Sequence, residues 1–395
     1  VNTKAQNMTD RENKAARKSQ CSPSDVVSLI DEVLEKAVAS GASDVHFEPT
    51  AEDLVVKYRL DGVLNVVERL PQAISDNCIA RLKVLAGLLT YRNDIPQEGR
   101  IEVKTEPQGK VIDQRLAVFP TIHGQRAVIR LFYQNEQLVD LAQLGFVPSA
   151  LETLQAFARQ TQGVLLLTGP AGSGKSTTLA ALIRHILKIT PGRSIVTLED
   201  PVEIRIENAT QVQISPHGDF NFPTALRSLL RQDPQVLMIG EIRDAETAQI
   251  GIEAGLTGHL LASTMHSGTP AGAFLRLLEM GIEPYQITSS IWGVLNQRLI
   301  RRLCDACKQQ RDDLEYDALG CSACFNTGYR GRVLVAELVQ MDSALRRCIL
   351  QKADLEEIEA LLGARGHVSM LAHGEGLIAE GVTSREELNQ TFGIA

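Results

Sequence analysis

The sequence predicts an α/β protein. Its larger part is a doubly wound or RecA-like domain on a largely parallel sheet, with a smaller α+β domain before it and a tetracysteine subdomain within it. Three observations predict this. A glycine-rich loop lies between a short apolar run, Gly163–Thr168, and a helical apolar pattern, Thr177–Lys188. Strand-like runs at 164–168, 194–198, 236–239 and 260–264 alternate with helical patterns, as βαβ units do. Two Cys-x-x-Cys pairs then fall between Cys304 and Cys324.

Bulk properties bound the reading. A chain of 395 residues is long enough for two or three domains with their own cores. Hydrophobic content of 44% with 22% charged residues is that of an ordinary soluble globular protein. The net charge of −8 argues against a broadly basic nucleic-acid binder, though not against a local basic groove. Four of the seven cysteines cluster, which suggests a metal site in a reducing compartment and not a disulfide framework. No apolar run approaches a membrane span and no signal-peptide core is present, so a cytoplasmic protein is expected.

In chain order, residues 1–20 are polar and aperiodic and read as a disordered tail. Ser22-Pro23-Ser24-Asp25 starts a helix whose apolar face is Val26, Ile30, Val33, Leu34 and Ala37; Ser40-Gly41 stops it. Asp61-Gly62 between alternating runs marks a hairpin. A helix near 74–89 and strands at 101–104, 111–118 and 127–132 complete an α+β domain over 21–133. His46 and Glu48 are read as structural polar residues at a strand end. Arg115 and Arg130 sit at strand positions, with Arg126 near them, and surface arginine is the default reading for each. Residues 134–145 read as a linker, and a helix near 149–160 leads into the domain spanning 146–395.

Gly169-Pro170-Ala171-Gly172-Ser173-Gly174-Lys175-Ser176 matches G-x-x-x-x-G-K-[ST] between a strand and a helix, which makes it a P-loop. Gly172 and Gly174 permit backbone angles that a side chain would forbid. Successive N–H groups can then wrap phosphates at the helix N-terminus. Lys175 can reach the β- and γ-phosphates of a nucleotide, Ser176 can ligate Mg²⁺, and Thr177 continues the nucleotide site. Glu199, Asp200 and Glu203 follow a buried strand, at the end where ligand groups gather in such sheets. Glu199 and Glu203 are read as holding Mg²⁺ through water or orienting the attacking water; Asp200 is divided between that and capping a helix. Glu241, just past the next strand, is the candidate for polarising water. His266 is the candidate γ-phosphate sensor, and His259 reads as structural.

These pieces together resemble the secretion ATPase superfamily that powers type II secretion and type IV pilus assembly. The matching stretches are Ser43-Asp-Val-His-Phe-Glu-Pro49, Ile95-Pro-Gln-Glu-Gly-Arg100, the 169–176 loop, Glu199-Asp-Pro-Val-Glu203, Gly240-Glu-Ile-Arg-Asp244 and Leu256-Thr-Gly-His259 through His266. The resemblance implies a homohexamer with ATP bound between domains and subunits. It implies that Arg115 and Arg130 approach the γ-phosphate, and that the first domain closes about the 134–145 linker. It also implies inner-membrane platform partners, hence a cytoplasmic protein peripheral to that membrane. Many members carry a further N-terminal docking domain; twenty polar residues are too few for one, so the usual recruitment mode is not expected from them.

Cys304-x2-Cys307-x13-Cys321-x2-Cys324 has zinc-ribbon spacing, and four thiolates suit a closed structural Zn²⁺ site over 303–330. The family's assembly members carry such a unit. Cys21, Cys78 and Cys348 read as core or incidental, and 342–395 as helices. A DNA-uptake or conjugation ATPase on the same core, and a nucleotide-binding scaffold with little turnover, stand as alternatives.

Overall fold

The computed structural model describes residues 23–101, 111–133, 140–215, 220–311, 315–364 and 366–394. The expected tail at 1–20, Cys21, the strand at 102–104 and the linker's first part, 134–139, lie outside these residues. The chain forms two compact units that divide between positions 136 and 137.

In the first unit the elements run α1 (Pro23–Ala39), β1 (Asp44–Pro49), β2 (Asp53–Leu60), β3 (Val63–Pro71), α2 (Ser75–Leu85), β4 (Gln97–Ile101), β5 (Val111–Thr121) and β6 (Gly124–Tyr133). The strands make one antiparallel sheet in the order β3-β2-β1-β6-β5-β4. Asp61 and Gly62 both take positive φ, 49° and 92°, between the paired residues Leu60 and Val63. That is the two-residue turn which matches strand twist. Alternation then sorts the faces. Along β6, Gln125, Ala127, Ile129 and Leu131 are buried, while Arg126, Val128 and Arg130 point the other way. The buried face packs on α1 and α2 through Ile30, Phe47, Leu54, Leu82 and Ile129. The expected 74–89 helix is shorter, because Gly87 turns left-handed (φ 67°) just after it. The strand expected from 101 instead begins at Gln97, where β5 offers backbone partners back to Val118.

The second unit continues with α3 (Pro148–Ala158), β7 (Gly163–Thr168), α4 (Lys175–Ile189), β8 (Ile195–Glu199), β9 (Thr210–Gln213), α5 (Phe222–Leu229), β10 (Val236–Ile239), α6 (Ala245–Leu256), β11 (Leu260–Met265), α7 (Pro270–Glu279) and α8 (Pro284–Ser290). Then come β12 (Ile291–Leu303), β13 (Lys308–Gln310), β14 (Tyr316–Ala318), β15 (Tyr329–Gln340), α9 (Ser343–Leu350), α10 (Leu355–Ala364), α11 (Met370–Ala379) and α12 (Arg385–Phe392). The sheet order is β15-β12-β7-β11-β10-β8-β9, parallel throughout except for the β12–β15 pair.

The apolar runs are continuous because this sheet is covered on both faces. Val164 and Leu166 point into a core shared with α5, α6 and α7, through Leu226, Ala248 and Phe274. Leu165 and Leu167 point oppositely, onto α3 and α4, through Phe157, Leu182 and Ile186. Leu141, near the end of the sequence-assigned linker, is buried in that second core. The long strands β12 and β15 go unread in the sequence, although β12 begins as a strongly apolar run and β15 carries the apolar run Val333–Ala336. Truncating the fully buried Leu182 to alanine is expected to cost about 2–5 kcal/mol, read as a lower denaturant midpoint in urea unfolding.

Candidate nucleotide site and tetracysteine centre

All the parallel strands direct their C-terminal ends to one edge of the sheet, and the phosphate loop leaves β7 there. Gly169, Gly172 and Gly174 take φ of 133°, 75° and 89°, open to glycine and strained for other residues. A Cβ at Gly169 would overlap the backbone carbonyl of Gln297 on β12, so the loop can lie against that strand only with glycine there. Gly174 caps α4, whose first-turn N–H groups have no intrahelical acceptor. Pro170, Ala171, Gly172 and Ser176 are exposed on the rim, Thr177 is half-buried and Ser173 is buried. Lys175 Nζ donates to the carbonyls of Gly169 (2.7 Å) and Pro170 (2.8 Å). Burial lowers its pKa, and the nearby Glu241 carboxylate partly offsets that.

Cross-strand bonds hold Glu241 beyond β10. Ser263 Oγ donates to Ile239 O (2.9 Å), Thr264 Oγ1 to Gly240 O (2.7 Å) and Ile242 N to Thr264 O (2.9 Å). The mostly buried carboxylate of Glu241 meets His266 Nε2 at 2.8 Å and Arg243 Nε at 2.6 Å. Lys175, Glu241 and His266 are therefore brought together, with Arg243 as a partner the sequence did not assign. Asp244 caps α6 by accepting from Thr247 N (2.8 Å). His259, at the opposite end of β11, sets Nδ1 against Ala254 O (3.1 Å), a structural contact.

The three acids after β8 separate. Glu199 is buried, taking bonds from Thr197 Oγ1 (2.6 Å) and Gln211 Nε2 (3.0 Å). Gln211 also donates to Ile204 O (2.9 Å) and accepts from Ile206 N (2.7 Å), so Glu199 anchors the segment that follows it. Glu203 and Asp200 are exposed. No helix follows Asp200-Pro201, which removes the capping reading. The donors of Val202 and Ile206 go instead to the side chains of Gln213 and Gln211.

Arg115 and Arg130 lie in the first unit as direct partners across β5 and β6. Register extends the row to Arg100 on β4, Asp44 on β1 and Arg59 on β2. Asp44 meets Arg130 Nε at 3.1 Å and Arg59 Nε at 3.3 Å. Asp113 meets Arg115 Nε at 3.2 Å and Arg100 Nε at 2.5 Å. Arg115 also stacks on Phe132, 4.9 Å from the ring centre. Arg126 binds Glu48 (2.8 Å) and His46 Nδ1 (3.1 Å), and Lys57 pairs with Glu48, which fits the structural reading of the two motif residues.

The four cysteine sulfurs all lie within 4.8 Å of one another. Cys304–Cys321, Cys307–Cys324 and Cys321–Cys324 are 3.9, 3.8 and 3.8 Å apart. A tetrahedron of sulfurs about 2.3 Å from a central zinc has edges of about 3.8 Å, so the donor set fits that metal. Backbone N–H groups of Cys321 (3.1 Å) and Gly328 (3.2 Å) point at Cys324 Sγ. Burial pushes this thiol up, but those donors, with Cys307 and Cys321, outweigh it and bring the group down to about 6. Between the pairs, β13 and β14 form a small antiparallel ladder.

The type II/IV secretion system protein family profile matches residues 19–390. The chain belongs to this family. A type II secretion system protein HxcR of Pseudomonas aeruginosa is 41% identical over 363 residues, covering 92% of this chain and 76% of that protein. The type II secretion system ATPase E of Vibrio cholerae is 40% identical, covering 92% and 74%. The type IV pilus assembly ATPase PilB of Thermus thermophilus is 36% identical over 91% of this chain and 42% of its own length. Among solved structures, the Legionella pneumophila ATPase DotB superposes with a TM-score of 0.66 at 22% identity, covering 93% and 96%. The pilus retraction motor PilT superposes with 0.59 at 23%, covering 91% and 95%. These two likenesses speak to fold alone. As a family member the chain is a nucleotide-binding ATPase of the secretion and pilus-assembly type.

Several residues of this family member's site escaped the sequence reading. Gln211 and Thr197 are ordinary strand residues in sequence, and only the sheet brings them to Glu199. Burial raises the Glu199 pKa, its Thr197 and Gln211 bonds opposing. The folded state therefore holds this proton more tightly than the unfolded chain. Stability from this group is full below the ordinary glutamate value and declines as pH rises through the raised one. Glu199→Gln is expected to remove that decline, seen as a smaller loss of urea-unfolding free energy across the window between those two values.

Proposed function

We propose that this chain hydrolyses Mg²⁺-ATP as one subunit of a hexameric motor that drives pseudopilus or pilus assembly. The observation that carries the reading is the Glu241 carboxylate, held between His266 and Arg243 and close enough to Lys175 to influence it. A fixed carboxylate beside a phosphate loop can orient water for in-line attack. In the proposed roles, the N–H groups of 169–177 and Lys175 cradle the phosphates. Ser176 ligates Mg²⁺, which would neutralise charge between the phosphates. Glu241 polarises water and His266 contacts the γ-phosphate. Glu203, exposed near Glu199, would help hold the metal through water, while Glu199 holds the segment that carries it.

Arg115 and Arg130 supply positive charge to the transferring phosphoryl group from the first domain. Their acids, Asp113 and Asp44, keep the guanidiniums extended outward from the sheet. The family resemblance implies ATP between domains and subunits, with closure of domain 21–133 about the 134–145 linker as the working stroke. Zn²⁺ at Cys304, Cys307, Cys321 and Cys324 is structural, because four thiolates leave no open position. Among the described residues no helix is long and apolar enough to cross a membrane. The proposed location, which the family resemblance implies, is cytoplasmic and peripheral at the inner membrane through platform proteins. Relatives named for type II secretion and type IV pilus assembly support the proposed role in pseudopilus or pilus assembly.

The test is ATP turnover per subunit across protein concentration. Specific activity is expected to rise with concentration and to vanish in Lys175→Ala. Glu241→Gln should keep nucleotide binding and lose about a hundred-fold or more in kcat. Turnover that stays constant down to monomeric dilution would count against arginines supplied by a neighbouring subunit. For the metal, zinc analysis of the purified chain should give stoichiometric binding. Cys324→Ser should lose it and unfold at lower temperature; a metal-free wild type would overturn the assignment.

A further inference from the structure

The structure assigns Gln297 a role as a positioning residue for the phosphate loop: its side-chain amide fixes the Ser173–Gly174 peptide plane so that the Gly174 N–H faces the bound phosphate. The inference rests on the nucleotide-site reading above and deepens it.

Gln297 lies on β12, one residue past Asn296, the partner of Thr168 at the end of β7. It is fully buried. Its Nε2 donates to Ser173 O at 2.8 Å. Its own backbone carbonyl fills the space that a Cβ on Gly169 would need, and its Nε2 lies 3.3 Å from where a Cβ on Gly174 would stand. Three loop positions thus meet one residue of a neighbouring strand.

The chemistry of the position is unusual for a packing role. Burying an amide without partners costs free energy, and an apolar side chain of the same length would avoid that cost. Among the described residues Gln297 Oε1 has no hydrogen-bond partner, so the amide's one side-chain bond there is the donation to the loop. A trans peptide unit is planar, with C=O and N–H pointing in opposite directions. Drawing the Ser173 carbonyl toward β12 therefore sends the Gly174 N–H away from β12, to the open side of the loop. That N–H has no acceptor among the described residues. Gly172 and Gly174 are both left-handed, and glycine leaves the intervening peptides free to rotate. Without the Gln297 donor, rotation of this peptide would present a carbonyl to the phosphate in place of an N–H.

The experiment uses the full chain, with a fluorescent ADP analogue titrated into wild type, Gln297→Met and Gln297→Glu, beside thermal unfolding without nucleotide. Methionine keeps the buried length and removes the donor. It is expected to weaken binding about ten-fold, the worth of one well-placed hydrogen bond, while nucleotide-free unfolding stays near wild type. Glutamate presents a carboxylate to the Ser173 carbonyl at high pH and a donating carboxyl once protonated. Its deficit should therefore shrink as pH falls, against a wild-type reference at each pH. Wild-type affinity in Gln297→Met would overturn the inference. So would weakened binding that merely tracks lost stability, with no recovery of Gln297→Glu at low pH. Absence of binding in wild type would instead overturn the nucleotide-site reading on which the inference stands.

Discussion

A parallel sheet covered on both faces must satisfy its backbone internally, and its side chains have no water on either side. This constraint organises the second unit. Val164 to Leu167, Val236 to Ile239 and Leu260 to Ala262 can only be apolar, because each strand is buried above and below. Polar chemistry is displaced to the strand ends, where the parallel ladders terminate in register. Glu199, Glu241 and His266 stand within two residues of such an end, and Lys175 follows the loop that leaves another. The site is thus a by-product of burial, and the hydroxyls of Ser263 and Thr264 convert it into a defined geometry by spending their hydrogen bonds on adjacent backbone.

Local pattern carried much of this. The phosphate loop is a contiguous spacing with a strand before it and a helix after it, so the one continuous stretch 163–188 is enough to read it. The four cysteines are likewise two contiguous pairs. The assignment of Glu241 also depended only on where an apolar run stops. What sequence could not display is partnership across strands. Arg243 and Asp244 adjoin in the chain, yet one meets the Glu241 carboxylate while the other caps a helix. Glu199, Asp200 and Glu203 look equivalent on paper; burial and Gln211 make them different. The β12–β15 ribbon was missed because β12 does not alternate cleanly, being buried against β7 at one end and polar at the other.

The first unit solves an opposite electrical problem. Four arginines in one row across a sheet would repel each other at close cross-strand spacing. Asp44 and Asp113 are interleaved so that each carboxylate serves two guanidiniums. Two acids against four bases leave a net positive row, with the side chains of Arg100, Arg115 and Arg130 mostly exposed and that of Arg59 less so. Asp44 belongs to the Ser43–Pro49 motif, and its place in that row gives the motif a physical reason: it is the counter-charge on which the arginines are mounted.

The β12 strand has a mechanical consequence. It is a single extended segment from Ile291 to Leu303, roughly 40 Å of nearly inextensible peptide. Its first half is locked beside β7, Gln297 meets the phosphate loop at mid-strand, and the far end runs directly into Cys304. An extended chain has no slack along its length, so tension applied at the cysteine knuckle travels to the loop as translation and is not absorbed by stretching. Pairing is irregular at both ends, between Ile291 and Gly293 against β7 and between Arg301 and Leu303 against β15, so such a rod bends at its ends and stays regular where it passes the phosphate loop.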